Sequence, residues 1–288
     1  MNETFYHILP NGLKIVHRKT ASPVVYVGLM VGAGTRDELP EENGMAHYIE
    51  HCVFKGTEHY TARQIINHIE GIGGEINAYT TKEETTFYAA TLNNHFRTTL
   101  HLLADMVLRP TFNKKETDKE VTVILDEIES YNDSPSELIY DDFENMIFEG
   151  SSLAMPILGT KKTLKRISKS PDYPLQWMAQ HYRPERMVLF VQGYVSTKQV
   201  IAAAEKELLS SSPIANSDAS HSPQGVQYPI AAPAASCSSL NERPIGLCPS
   251  YSPSGASRTY RRHTHQTHVM LGSHTYPIGH PKQLTMFL

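Results

Sequence analysis

His47, Glu50 and His51 fall within five consecutive residues, in the order His-Tyr-Ile-Glu-His. The surrounding segment, 43–54, reads as helix, and residues four apart on a helix stand one above the other on a single face. Two imidazoles are thereby stacked with a carboxylate beside them. Met45, Ile49, Cys52 and Val53 form a separate apolar face that can pack on a core. Paired imidazoles suit a zinc ion, and an adjacent glutamate suits removal of a proton from water that the metal activates. H-x-x-E-H is the inverted form of the H-E-x-x-H zinc motif. The same five residues also fit a solvated amphipathic helix that holds no metal, so the pattern must be read with the rest of the chain.

A second acidic pair lies downstream. Asn113-Lys114-Lys115-Glu116 reads as a capping box opening a helix that runs to about Tyr131. Glu120 and Glu127 are seven apart, two helical turns, and share nearly one face. Val123, Ile124 and Ile128 are expected on or beside that face. Carboxylates on a partly apolar face need a cation or a donor to meet them. The alternative is a helix whose acidic side simply faces water. Glu116, Asp118, Asp126 and Glu129 point elsewhere and read as ordinary solvated charge.

Several elements must position these groups. Two short strand-like runs, Phe5 to Leu9 and Leu13 to His17, flank Asn11-Gly12, a hairpin signal. Val24 to Val31 is almost uniformly apolar and β-branched, as in the middle of a sheet. Gly32 to Glu38 is a turn-rich loop delivering the chain to the motif helix, which Gly56 stops. Thr61-Ala62-Arg63-Gln64 caps a second helix ending at Gly73-Gly74. Glu75 to Thr80 and Thr85 to Leu92 read as strands, the first unusually polar and small. A solvated edge explains that polarity, and an exposed edge can also accept an extended peptide as an added strand, with Asn77 available to its backbone.

The helical period returns over His95 to Leu108, Leu138 to Phe148 and Pro171 to Tyr182. Ser134-Pro135 interrupts it, and Met155 to Thr160 reads as a loop. Met187 to Val191 is a strand, and Ser196 caps a helix to about Leu209. This order predicts an α+β fold, a largely antiparallel sheet with helices packed on one face.

The chain has 288 residues, room for one large domain or two ordinary ones. A formal charge of −4 gives no electrostatic case for nucleic acid or an anionic membrane. Three cysteines, Cys52, Cys237 and Cys248, do not make a disulfide framework, and Cys52 reads as a small buried apolar residue. Met1 to Thr4 lacks the pattern of a signal or transit peptide, and no run is long and apolar enough to span a bilayer, so a soluble cytoplasmic protein is expected.

Composition then divides the chain. Residues 1–209 form the folded domain, and 210–258 are Ser-, Pro- and Ala-rich and read as a flexible linker. Residues 259–288 read as the truncated start of a second domain, with a strand over His263 to Gly272 and an apolar pattern that begins at Gln283 and stops. His263, His265 and His268 read as alternating polar residues on that strand, without a Cys or carboxylate partner nearby.

From Thr4 to Leu208 the sequence closely resembles the family of pitrilysin, insulin-degrading enzyme and the mitochondrial processing peptidase β subunit. The likeness rests on His-Tyr-Ile-Glu-His followed 76 positions after His51 by Glu127, itself seven after Glu120. It extends to Gly34-Thr35-Arg36-Asp37-Glu38, Gly73-Gly74, Asn77-Ala78-Tyr79-Thr80, Pro156 to Thr160 and Tyr182-Arg183-Pro184. The resemblance implies one half of a two-part chamber and a zinc-dependent endopeptidase, with one Zn²⁺ held by His47, His51 and Glu127. It makes Glu50 the general base acting on metal-activated water, Glu120 the supporting acid that orients a ligand, and Asn77, Ala78 and Tyr79 the substrate-binding edge. The substrate would be a peptide or unfolded polypeptide. A second homologous subunit, or the missing second domain, would be needed for full activity. The competing expectation is a non-catalytic subunit that binds peptide or a partner.

Overall fold

The computed structural model describes residues 4–209, 257–261 and 266–273. Six strands, β1 (Thr4–Ile8), β2 (Lys14–Lys19), β3 (Val24–Val31), β4 (Glu75–Thr80), β5 (Thr85–Leu92) and β6 (Met187–Gly193), form one sheet in the order β1-β2-β6-β3-β5-β4. Every pairing is antiparallel except β2 with β6. Alternation along the strands puts Ile15, Val27, Leu29, Phe87, Ala89, Leu189 and Val191 on the face that the helices cover, all of them buried. The other face carries Tyr6, Ile8, Tyr26 and Tyr79, which are exposed. The predicted α+β architecture is thus the observed one, and the polar strand β4 lies at the sheet edge.

The helices are α1 (Met45–Cys52), α2 (Ala62–Glu70), α3 (Phe96–Leu108), α4 (Lys114–Asn132), α5 (Pro135–Ile147), α6 (Lys161–Ile167), α7 (Asp172–His181) and α8 (Thr197–Ala204). Met45, Ile49, Cys52 and Val53 are fully buried in the core, as the helical spacing requires. Leu100, Leu103 and Val107 of α3 and Trp177 of α7 join the same core. No helix among the described residues is long and apolar enough to cross a membrane.

Several local expectations change. The start of α4 is capped by the Asn113 side chain, which accepts from Lys115 N at 3.0 Å, but Glu116 does not complete a box because it pairs with Lys119. Val123 is 47% exposed, whereas Thr117, Glu120 and Ile124 are the buried residues of that helix. Ser134-Pro135 opens α5 instead of merely interrupting a pattern, since proline fits the first helical position. Helix α6 was not foreseen; Thr160 caps it, accepting from Thr163 N at 3.2 Å. Residues 266–273 are irregular and largely exposed, so they form no part of the strand expected over 263–272. His263, His265 and most of the linker expected over 210–258 lie outside the described residues.

Candidate metal centre

The motif helix is fixed at its first turn. Glu38 Oε1 accepts from Ala46 N at 2.8 Å, and its Oε2 accepts from Gly44 N at 2.9 Å and Asn43 Nδ2 at 3.1 Å. The opening amides of a helix lack partners within it, and an acid there is favoured by the helix dipole. Burial nevertheless pushes the Glu38 carboxyl up to about 7, against the hydrogen bonds that lower it. Asn43 Nδ2 also donates to Pro156 O at 2.8 Å. Gly44 has φ +92° and Gly159 φ +73°, and their backbones touch: a Cβ on Gly159 would lie 2.5 Å from Asn43 O. The loop before α6 therefore seats the helix that carries the imidazoles.

His47 and His51, one turn apart on α1, have ring centroids 4.6 Å apart. Glu127 reaches them from α4, with its Oε2 3.8 Å from His47 Nε2 and 3.5 Å from His51 Nε2. Ligands about 2.0–2.1 Å from a tetrahedral ion stand roughly 3.3 Å apart, so a small contraction would admit zinc. Among the described residues this is the one cluster of three or more such donors, and all three donor atoms lie within 4.8 Å of one another. The carboxylate of Glu127 is 45% exposed, leaving the group open to solvent on that side. An open side distinguishes catalytic from structural zinc sites.

The surroundings act in opposite directions on the two imidazoles. Burial, then the neighbouring His51, depress His47 to about 4, so it is a neutral imidazole near neutrality. Burial also lowers His51, but the adjacent Glu127 and Glu120 outweigh it and the net shift is upward. Glu127 is held below the usual carboxylate range, chiefly by its hydrogen bond with His51. Glu120 is buried, its Oε2 3.2 Å from His51 Nδ1 and its Oε1 2.8 Å from Lys55 Nζ. In the tautomer where His51 Nδ1–H donates to Glu120, Nε2 keeps its lone pair for the cluster. His47 Nδ1 is buried and has no hydrogen-bond partner among the described residues.

Glu50 lies on the same helix, and its Oε2 accepts from Thr80 Oγ1 at 2.6 Å. Burial raises its pKa, partly offset by that hydrogen bond, so the carboxylate takes up a proton more readily than a free one. Asn77 and Tyr79 lie on the open face of the edge strand β4, and Ala78 on the helix-covered face. The Asn77 side chain accepts from Ala78 N at 2.8 Å. All eight residues singled out in the sequence thus lie on α1, α4 or β4. Glu38, Lys55 and Thr80, which support them, were not singled out. Glu38 and Thr80 each lie within a motif that was recognised, which was the available signal.

Residues 14–161, just over half of the chain, match the family described as insulinase (peptidase family M16). The chain belongs to this family. Residues 171–288 match the M16 domain described as inactive. An uncharacterized zinc protease, YmxG, of Bacillus subtilis (strain 168) is 40% identical over 187 residues, 65% of this chain and 45% of that protein. A probable mitochondrial-processing peptidase subunit beta of Arabidopsis thaliana is 35% identical over 206 residues, 71% of this chain and 38% of that one. The crystal structure of a protease from Helicobacter pylori shares the fold with a TM-score of 0.69 and 21% identity, covering 80% of this chain and 54% of that one. The chain spans about half the length of the curated relatives it matches.

Proposed function

We propose that this insulinase-family chain is the metal-bearing half of a zinc-dependent endopeptidase acting on extended peptides. The observation that carries this reading is the convergence of His47 and His51 from α1 with Glu127 from α4 around a space open to solvent. These three residues would hold one zinc ion, which when bound polarises a carbonyl and acidifies water. Glu50 takes the proton released in the attack and returns it to the leaving amine. Glu120 holds the His51 ring in the orientation that turns Nε2 to the cluster. Substrate lies along β4 as an added strand, with Asn77, Ala78 and Tyr79 beside it. A second homologous subunit or domain closes over the peptide, in keeping with a match that covers less than half of the relatives' own length.

Elemental analysis and a peptide-cleavage assay with and without such a second half test the reading. Wild type should carry one zinc and gain cleavage when the second half is supplied. Glu50→Gln should keep the zinc and lose cleavage. A zinc-free wild type would overturn the metal assignment. Cleavage that survives Glu50→Gln would exclude Glu50 as the base, and a zinc-loaded pair that binds but never cuts would leave a peptide-binding subunit.

A further inference from the structure

The hydrogen bond from Thr80 to Glu50 joins two parts that the proposed reaction uses separately. Thr80 is the last residue of β4, and alternation turns its side chain to the helix-covered face with Ile76 and Ala78. Its partner in the next strand is Thr85, whose Oγ1 donates to Ala33 O at 2.9 Å, so the end of the hairpin is anchored to the chain leaving β3. A hydroxyl has one proton to donate, and Thr80 spends it on Glu50 Oε2 at 2.6 Å. Glu50 forms no ion pair with a lysine or arginine among the described residues, so this neutral donor orients one of its two oxygens. A hydrogen bond to a charged oxygen at this distance is the strong kind, directional as well as short.

We propose that Thr80 is a positioning residue that couples occupation of the edge strand to the orientation of Glu50. The inference rests on the peptidase reading, in which β4 receives the peptide and Glu50 is the base. A strand added to β4 pairs the backbone groups that its outer edge leaves free, and so fixes the strand from both sides. Thr80 moves as part of that strand, and the Glu50 carboxylate follows its hydroxyl. A shift of β4 on pairing with peptide is therefore passed to the base through this hydrogen bond.

The test reads Glu50 directly. Zinc-free protein is labelled with glutamate carrying ¹³C at the side-chain carboxyl, and the Glu50 resonance is identified as the one lost in Glu50→Gln. Thr80→Val, which keeps the side-chain shape, should shift this resonance, and Thr80→Ser should restore it. Addition of an unstructured valine–lysine repeat peptide should shift the resonance in wild type and Thr80→Ser, and not in Thr80→Val. A Glu50 resonance indifferent to Thr80→Val, or a peptide shift that is absent in wild type or equal in all three proteins, would overturn the coupling. Zinc uptake by the same samples is measured separately. Failure of wild type to take up zinc would remove the peptidase reading while leaving a Thr80-dependent resonance intact.

Discussion

Glu120 and His51 meet at 3.2 Å through Oε2 and Nδ1, although they come from different helices and lie 69 residues apart. The other oxygen of Glu120 is held by Lys55, so the carboxylate cannot turn away without breaking an ion pair. Loss of a group that orients a metal-bound histidine typically costs 10–100-fold in affinity. Glu120→Gln should therefore weaken zinc binding by about that factor, measured by competition with a chelator, while the circular dichroism spectrum stays unchanged.

Glu127→Ala should remove zinc altogether, since two imidazoles without the carboxylate leave too few protein ligands for a catalytic site. Asp126→Ala, one residue away and exposed, should leave metal content unchanged. Elemental analysis of the two variants side by side checks both. Equal zinc in the two would detach α4 from the metal.

Stability should fall with rising pH over a defined interval because of Glu38. Its folded-state pKa is raised from an ordinary 4.5 to about 7, so between those values the folded protein binds a proton that the unfolded chain has released. Proton binding that favours the folded state is lost as pH rises, so the contribution declines through this window and is gone above it. The change amounts to at most roughly 3 kcal/mol. Urea unfolding at pH 5 and pH 8 should show a larger loss for wild type than for Glu38→Gln, and parallel curves would refute the assignment.

Gly159→Ala should be costly for a residue in a loop. The left-handed backbone alone disfavours a side chain by about 1–2 kcal/mol. The new Cβ would also press on Asn43 O and Gly44 Cα, displacing the first turn of α1. A lowered melting temperature together with weakened zinc binding is expected, whereas Gly73→Ala, whose Cβ would meet nothing, should lose stability without touching zinc.

Asn77→Ala should weaken capture of extended peptide by about tenfold, the equivalent of one lost hydrogen bond, with zinc content unchanged. Fluorescence anisotropy of a labelled peptide on the Glu50→Gln background measures it without cleavage. An unchanged dissociation constant would remove Asn77 from the peptide's path.

Patterns with a strong period were readable from the chain. The bounds read for β3, β4 and β5 are the observed ones, because each strand alternates or is uniformly apolar between clear turns. The buried face of α1 followed from helical spacing alone. Burial along α4 was less legible, because its buried side is set by Thr117, Glu120 and Ile124, two of them polar, which hydrophobicity does not mark. The joining of α1 to α4 needed the family resemblance, since no local signal links residues 51 and 127. Glu38 and Thr80 were missed as supports for a related reason. Their roles depend on which backbone amide or carboxylate lies opposite, and that is decided only when distant elements pack.

The placement of β6 between β2 and β3 bears on how the molecule is made. As the chain leaves the ribosome, both neighbours emerge more than 150 residues before the strand that fills the gap between them. Until Met187–Gly193 arrives, the facing edges of β2 and β3 stand open. Such a nascent intermediate invites mispairing. Holdase chaperones should therefore bind ribosome-stalled chains that stop short of β6 and release those that include it.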